Sequence, residues 1–351
     1  EVNLIKLDKG NRRSLVLRAV KDDMLLEADR NIDSIGDGAP FDPAGNIVAL
    51  APEGEIDPAL SFLAGTIVLV AGVPTGTVSP SLGQFAMLAG RPNRGGLGEF
   101  RSLIPEQLAL SANANFSEKF GNHRLSLSAK ATHDMREARI GGSIATLTVP
   151  AASPFSPFGN DVGLATVLGS PLQQNAESTA LTTAAVLNGP LGKWRYSLNA
   201  NANWRWGETR SERAIDPANL QAAIAGGSVS PFAPFAPALL ARPDRETALL
   251  DGFFGMAQAT ANGALFALPA GAARLSTRLE WRRTTSTNRT RGVAPTITRR
   301  ASRDDLSAAA TLQLPLVASA RLGSLGAEIS GAIRHVSRSR GVHDHGYALN
   351  W

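Results

Sequence analysis

From Trp194 to Trp206 the chain reads WRYSLNANANWRW and alternates without a break. Trp194, Tyr196, Leu198, Ala200, Ala202, Trp204 and Trp206 fill the even positions; Arg195, Ser197, Asn199, Asn201, Asn203 and Arg205 fill the odd ones. A period of two belongs to a β-strand, whose successive side chains point to opposite faces. The pattern returns at Leu108 to Phe116, Leu125 to Ala131, Leu275 to Trp281, where Arg274, Arg278 and Arg282 take the polar positions, and Leu306 to Leu314. It is looser at Leu15 to Asp29, Ala176 to Leu187 and Gly252 to Ala267, and about eleven strands result in all. The chain is predicted to be all-β.

Connections alternate as well. Short ones fall at Asp8 to Arg13, Phe120 to His123, Asn188 to Lys193 and Leu268 to Ala272, with a slightly longer one at Pro315 to Ser324. Between them lie long connections at about 30–99, 140–175 and 214–245, and a shorter one near 288–302. Tight turns at one end and long loops at the other are the plan of an outer-membrane barrel, with short periplasmic turns and long extracellular loops. Loops of this length are uncommon in compact domains unless they are functional, so they are expected to meet ligand. One holds DPANLQAAIAGG, which predicts a short helix with Asp216 as N-cap, Pro217 in the first helical position and Gly226 as the stop. Two carry nearly the same string, SPFSPF at Ser153 to Phe158 and SPFAPF at Ser230 to Phe235.

A soluble sandwich or barrel would also alternate, but strands in soluble proteins average ~5 to 6 residues, far fewer than Trp194 to Trp206. Aromatic residues also bracket the apolar face of that strand. At ~3.3 Å per residue and a tilt of ~40°, Trp194 and Trp206 stand ~30 Å apart along a membrane normal, and Tyr196 and Trp204 ~20 Å. These values straddle the ~25 Å apolar band and paired aromatic girdles of outer-membrane barrels. Trp194, Tyr196, Trp204, Trp206 and Trp281 are therefore assigned to the girdle facing outer-membrane lipid. Arg195, Asn199, Asn201, Asn203, Arg205, Arg274, Arg278 and Arg282 are assigned to a wet lumen, because a soluble core would leave so many amides without partners.

Composition narrows the chemistry. The 351 residues carry a formal charge of +5 and no Cys, so a thiol nucleophile, a disulfide framework and a thiolate metal site are excluded. Basic residues are scattered along strands instead of gathered in runs, which does not indicate nucleic acid. The longest apolar run, Ala59 to Val73, is shorter than the ~20 residues of a spanning helix and is expected to be a β-rich part of a loop. No catalytic set is found: there is no Gly-x-Ser-x-Gly elbow and no pair of carboxylates stands out. GRPNRGGLG at Gly90 to Gly98 lacks the Gly-Lys-Ser/Thr ending of a phosphate loop. His343 and His345 in VHDHG are too few for a transition-metal site and are expected in a solvated loop; His123, His133 and His335 are expected to be structural or solvated. No enzyme activity, cofactor or metal is expected. Lumen arginines could favour an anionic solute, although porous barrels ordinarily carry charges inside.

RSLIPEQ at Arg101 to Gln107, SPFSPFGNDV at Ser153 to Val162, LNGPLGKWRYSL at Leu187 to Leu198 and GYALNW at Gly346 to Trp351 give the chain a resemblance to the barrel of TonB-dependent outer-membrane receptors, above all large ones from alphaproteobacteria. It spans nearly the whole chain as strand texture and loop wording. The resemblance implies energy-coupled uptake of a scarce solute through a plugged barrel of about 22 strands. It also implies a plug region that couples to a TonB-type inner-membrane complex. Eleven strands would be about half such a barrel, so the chain is expected to cover the early part of the wall, to have open edges, and to end in a strand begun at Tyr347, Leu349 and Trp351. A passive porin or an adhesive barrel without a plug is the alternative.

Overall fold

A computed structural model describes residues 2–8, 11–32, 40–51, 54–240, 244–292, 295–319, 323–337 and 342–350. Eleven strands make one antiparallel meander: β1 (Val2–Asp8), β2 (Asn11–Asp22), β3 (Glu106–Phe120), β4 (His123–Val149), β5 (Val162–Leu191), β6 (Trp194–Glu212), β7 (Arg245–Leu268), β8 (Gly271–Arg291), β9 (Ile297–Ser319), β10 (Gly323–Val336) and β11 (Val342–Asn350). Each is hydrogen-bonded to the next in chain order. Among the described residues β1 pairs only with β2 and β11 only with β10, so the sheet has two open edges and does not close on itself. No helix is long and apolar enough to cross a membrane, which says nothing of strands.

Register carries the two faces from strand to strand. Leu4, Leu15, Ala114, Ala129, Thr183 and Ala202 stand in one cross-strand row. Leu198, Ala259, Leu279, Ala308 and Ile333 stand in another row on the same face. The opposite face holds rows such as Asn113, Lys130, Thr182 and Asn203. Its polar groups bond across strands: Asn203 Nδ2 donates to Thr182 Oγ1 at 2.7 Å, Asn115 Nδ2 to Ser14 Oγ at 3.3 Å, and Ser117 and Ser126 share a hydrogen bond at 3.1 Å. A shift of one residue anywhere would exchange the faces, so the alternation fixes the register.

Several boundaries differ from those the sequence suggests. β2 stops at Asp22, not Asp29, where the connection 23–105 begins. The loop predicted at 140–175 is mostly strand: β4 runs to Val149 and β5 starts at Val162. Gly141 and Gly142 mark register shifts inside this hairpin; Gly141 has φ of 129°, and a Cβ on Gly142 would meet Val167 at 2.5 Å. β8 and β9 likewise consume most of 288–302. His343 and His345, expected in a loop, lie in β11 opposite Ile333 and Gly331.

The extended β4–β5 hairpin carries a cap built from the long connections. The short strand Asn46–Val48 pairs with Val70–Gly72 and with Gly163 to Ala165 of β5, fastening the cap to the sheet. Ala59 to Val73 is not β-rich throughout: α1 (Pro58–Ala64) occupies its first half. Asp57-Pro58 is a helix start, with Asp57 Oδ1 accepting from Leu60 N at 3.0 Å and proline in the first turn. Asp57 Oδ2 accepts from Gly159 N at 2.7 Å, tying the 150–161 connection to this helix. α2 (Leu82–Met87) opens on a Ser81/Gln84 capping box, and its buried Phe85 packs against Phe158 at 4.9 Å and Phe232 at 5.5 Å. α3 (Ala218–Ala225) forms where predicted and ends at Gly226; Pro217 takes the cap position, while Asp216 Oδ1 accepts from Ala218 N at 3.0 Å. Leu220 and Ile224 of α3 join Ile47, Leu60, Leu147 and Leu164 in the cap's core.

The repeated strings fold alike. In each Ser-Pro-Phe triplet the serine Oγ accepts from the phenylalanine N two residues on: Ser153 to Phe155 at 3.4 Å, Ser156 to Phe158 at 3.3 Å and Ser230 to Phe232 at 3.2 Å. Proline presets φ and the hydroxyl closes the turn, which aims each ring. GRPNRGGLG belongs to the same cap. Asn93 N donates to Asn46 Oδ1 at 2.6 Å, and Asn93 Nδ2 donates to Gly45 O and Val73 O.

Candidate functional site

The five aromatic residues assigned to a girdle share the apolar face. Trp194 lies against Gly263, where a Cβ would approach the ring to 2.6 Å. Tyr196 Oη and His123 Nδ1 are 2.9 Å apart, and the His123 ring stacks on Phe120 with centroids at 5.9 Å. Trp204 packs on Phe253 at 5.3 Å. Trp281 stands apart: it faces Ala257, itself opposite Ala200, and so is in register with the middle of the Trp194 to Trp206 span.

All eight residues assigned to the lumen share the polar face. Asn199 leads through Gln258 to Glu280, Asn201 through Met256 to Arg282, and Ser197 through Thr260 to Arg278. Their electrostatics divide. Arg278 and Arg282 both bond the Glu280 carboxylate, whose side chain is 7% exposed, so both guanidinium groups are already engaged although one carboxylate offsets only one of the two charges. One strand further, Asp305 accepts from Arg334 Nε at 2.8 Å and pairs with Arg303 at 3.2 Å. Among the described residues Arg195, Arg205 and Arg274 make no ion pair.

Arg205 opens onto a cavity of ≈ 500 Å³. Its floor is made of small side chains, Ala176, Ser178 and Ala180 on β5 and Gly207 on β6, which leave room above the sheet. Thr132, Asp134 and Arg136 of β4 form one wall; Asn288 and Thr290 of β8 form the other. The site ends three residues short of Arg139, where the cap begins and Arg139 Nη1 donates to Glu99 O at 2.8 Å. Asp134 and Arg136 make no ion pair among the described residues, so from the polar face the cavity is given two guanidinium groups, one carboxylate and several hydroxyl and amide groups, while Glu177 and Arg289 at its border belong by register to the opposite face. Of this set only Arg205 was predicted. The polar alternation beginning at Arg124 continues through Thr132, Asp134 and Arg136, which was the signal for the rest.

A cavity of ≈ 540 Å³ on the opposite face, beyond Trp206, is lined by Glu177, Glu208, Asp251 and Arg289. Glu177 lies 3.7 Å from His133 and Glu208 2.8 Å from Arg210, so both carboxylates have partners within the sheet. Among the described residues no cluster of three His, Asp or Glu could hold a metal ion. No protein-family model matches the chain, and no curated protein matches it.

Proposed function

We propose that this chain is part of the wall of an outer-membrane β-barrel in a TonB-dependent receptor, which takes up a scarce small solute under energy coupling. The observation that carries this reading is the two-faced meander: one face with apolar rows running from β1 to β10 and bracketed on β6 by Trp194, Tyr196, Trp204 and Trp206, the other hydrogen-bonded and charged. Lipid would meet the first face and the solute the second. Coupling to a TonB-type inner-membrane complex runs through a plug region, and the open edges at β1 and β11 receive further strands of a barrel of about 22. The packed cap supports a receptor over a bare pore, since ligand-binding loops are long and held by a rigid scaffold.

The test is uptake by Gram-negative cells that express the full-length gene. The protein should fractionate with the outer membrane, and solute uptake should stop when a protonophore collapses the inner-membrane gradient. Uptake that continues unchanged would assign the barrel to the passive porins, and a protein found outside the outer membrane would overturn both readings.

A further inference from the structure

We propose that the solute is a small hydrophilic anion rich in hydroxyl groups, of the class of carboxylated sugars, and that it crosses on the β4–β6 side of the polar face. This rests on the reading of that face as a solute path. Three observations carry it.

First, basic charge on the polar face is uneven. On β8 to β10 each carboxylate holds two guanidinium groups, Glu280 those of Arg278 and Arg282 and Asp305 those of Arg303 and Arg334, and only Arg274 and Arg299 of this face are without an ion pair among the described residues. On β4 to β6, Arg124, Lys130, Arg136, Arg195 and Arg205 share the polar face with the single acid Asp134, and none of them forms an ion pair among the described residues. An anion therefore gains most on this side, where no fixed carboxylate already holds the guanidinium groups.

Second, the cavity has the composition of a polyol site. Thr132, Ser178, Thr209, Asn288 and Thr290 can each donate and accept, so a ring of hydroxyl groups finds partners on both walls. Asp134 adds an acceptor for hydroxyl donors. The ≈ 500 Å³ volume falls within the range of ~300 to 1,000 Å³ of small-molecule sites.

Third, no aromatic ring on the polar face lines the cavity, since Trp206 projects to the opposite face. A flat aromatic or macrocyclic solute would have nothing to stack on. The Ala176, Ser178, Ala180 and Gly207 floor leaves space, and Ala248 and Leu250 of β7 add an apolar side to a lining otherwise of hydroxyl, amide and charged groups, which suits a hydrated sugar ring with one carboxylate.

The experiment uses the full-length protein purified from outer membranes, with glucuronate and glucose as paired probes that differ in the carboxylate. Titration calorimetry at low salt should give glucuronate at least tenfold tighter binding than glucose, weakening as salt rises. Arg205→Ala and Arg136→Ala should each lower glucuronate affinity about tenfold, while Arg282→Ala, which is bonded to Glu280 and does not line the cavity, should change it less than twofold. The strand signature in circular dichroism shows whether each variant is folded, and Arg205→Lys serves as a milder second variant that should retain part of the preference. Equal binding of both sugars, no heat with either, or Arg282→Ala as damaging as Arg205→Ala would overturn the inference. If the protein is first found in the outer membrane with energy-dependent uptake, those outcomes strike the solute class alone; failure of fractionation strikes the earlier reading.

Discussion

Individual contacts show how tightly the apolar face is tailored. Gly189 lies under His123, and a Cβ there would come within 2.3 Å of Nδ1. The imidazole can rotate away, so Gly189→Ala should cost the Tyr196 hydrogen bond and little else, about 1 kcal/mol. Denaturant unfolding in micelles measures it, with Tyr196→Phe expected to lose a similar amount and the double variant no more than either. On the other face, Asp305→Asn leaves Arg303 and Arg334 facing each other with a weaker acceptor. Its thermal midpoint should fall, and adding Arg303→Gln should restore part of the loss, because the remaining repulsion is removed.

At the scale of elements, the cap is the part most open to mutation. Phe85 is fully buried between Phe158 and Phe232, drawn from two other connections. Phe85→Ala should destabilise the cap by about 3–5 kcal/mol. Hydrogen exchange should accelerate over α1, α2 and α3 while β6 to β8 keep their protection. Asp57→Ala removes both the α1 cap and the Gly159 tether, and should loosen the same region by about 1–2 kcal/mol. The strands and their faces were legible in the sequence because alternation is local and strict, as Trp194 to Trp206 displays. The cap was not, because its core gathers single apolar residues from segments far apart in the chain, and no period links Ile47, Phe85, Leu147 and Leu220. The strand beyond Ile140 was missed for a related reason: at Gly141 the register shifts inside a long hairpin, and the alternation that marks a strand is broken there. Arg205 was found by its strand, but its cavity partners Asp134 and Asn288 come from strands two places to either side, which only register reveals.

For the whole molecule the open edges dominate. Tyr347 is 90% exposed and Leu349 74% on β11, and Val2, Leu4 and Ile5 are exposed on β1. Refolded alone into micelles, the 351-residue chain should self-associate with rising concentration, as sedimentation velocity would reveal. Supplying the full-length chain should abolish that association if further strands cover these edges.

The cap core draws on connections 23–105, 150–161 and 213–244 at once. It cannot be complete until β2 through β7 stand side by side, since those strands bring its three sources together. Its closure should therefore be a late event in folding, one that reports on the order of strand assembly. Protease resistance of the cap should appear only after the sheet beneath it has formed, which makes its appearance a clock for strand assembly.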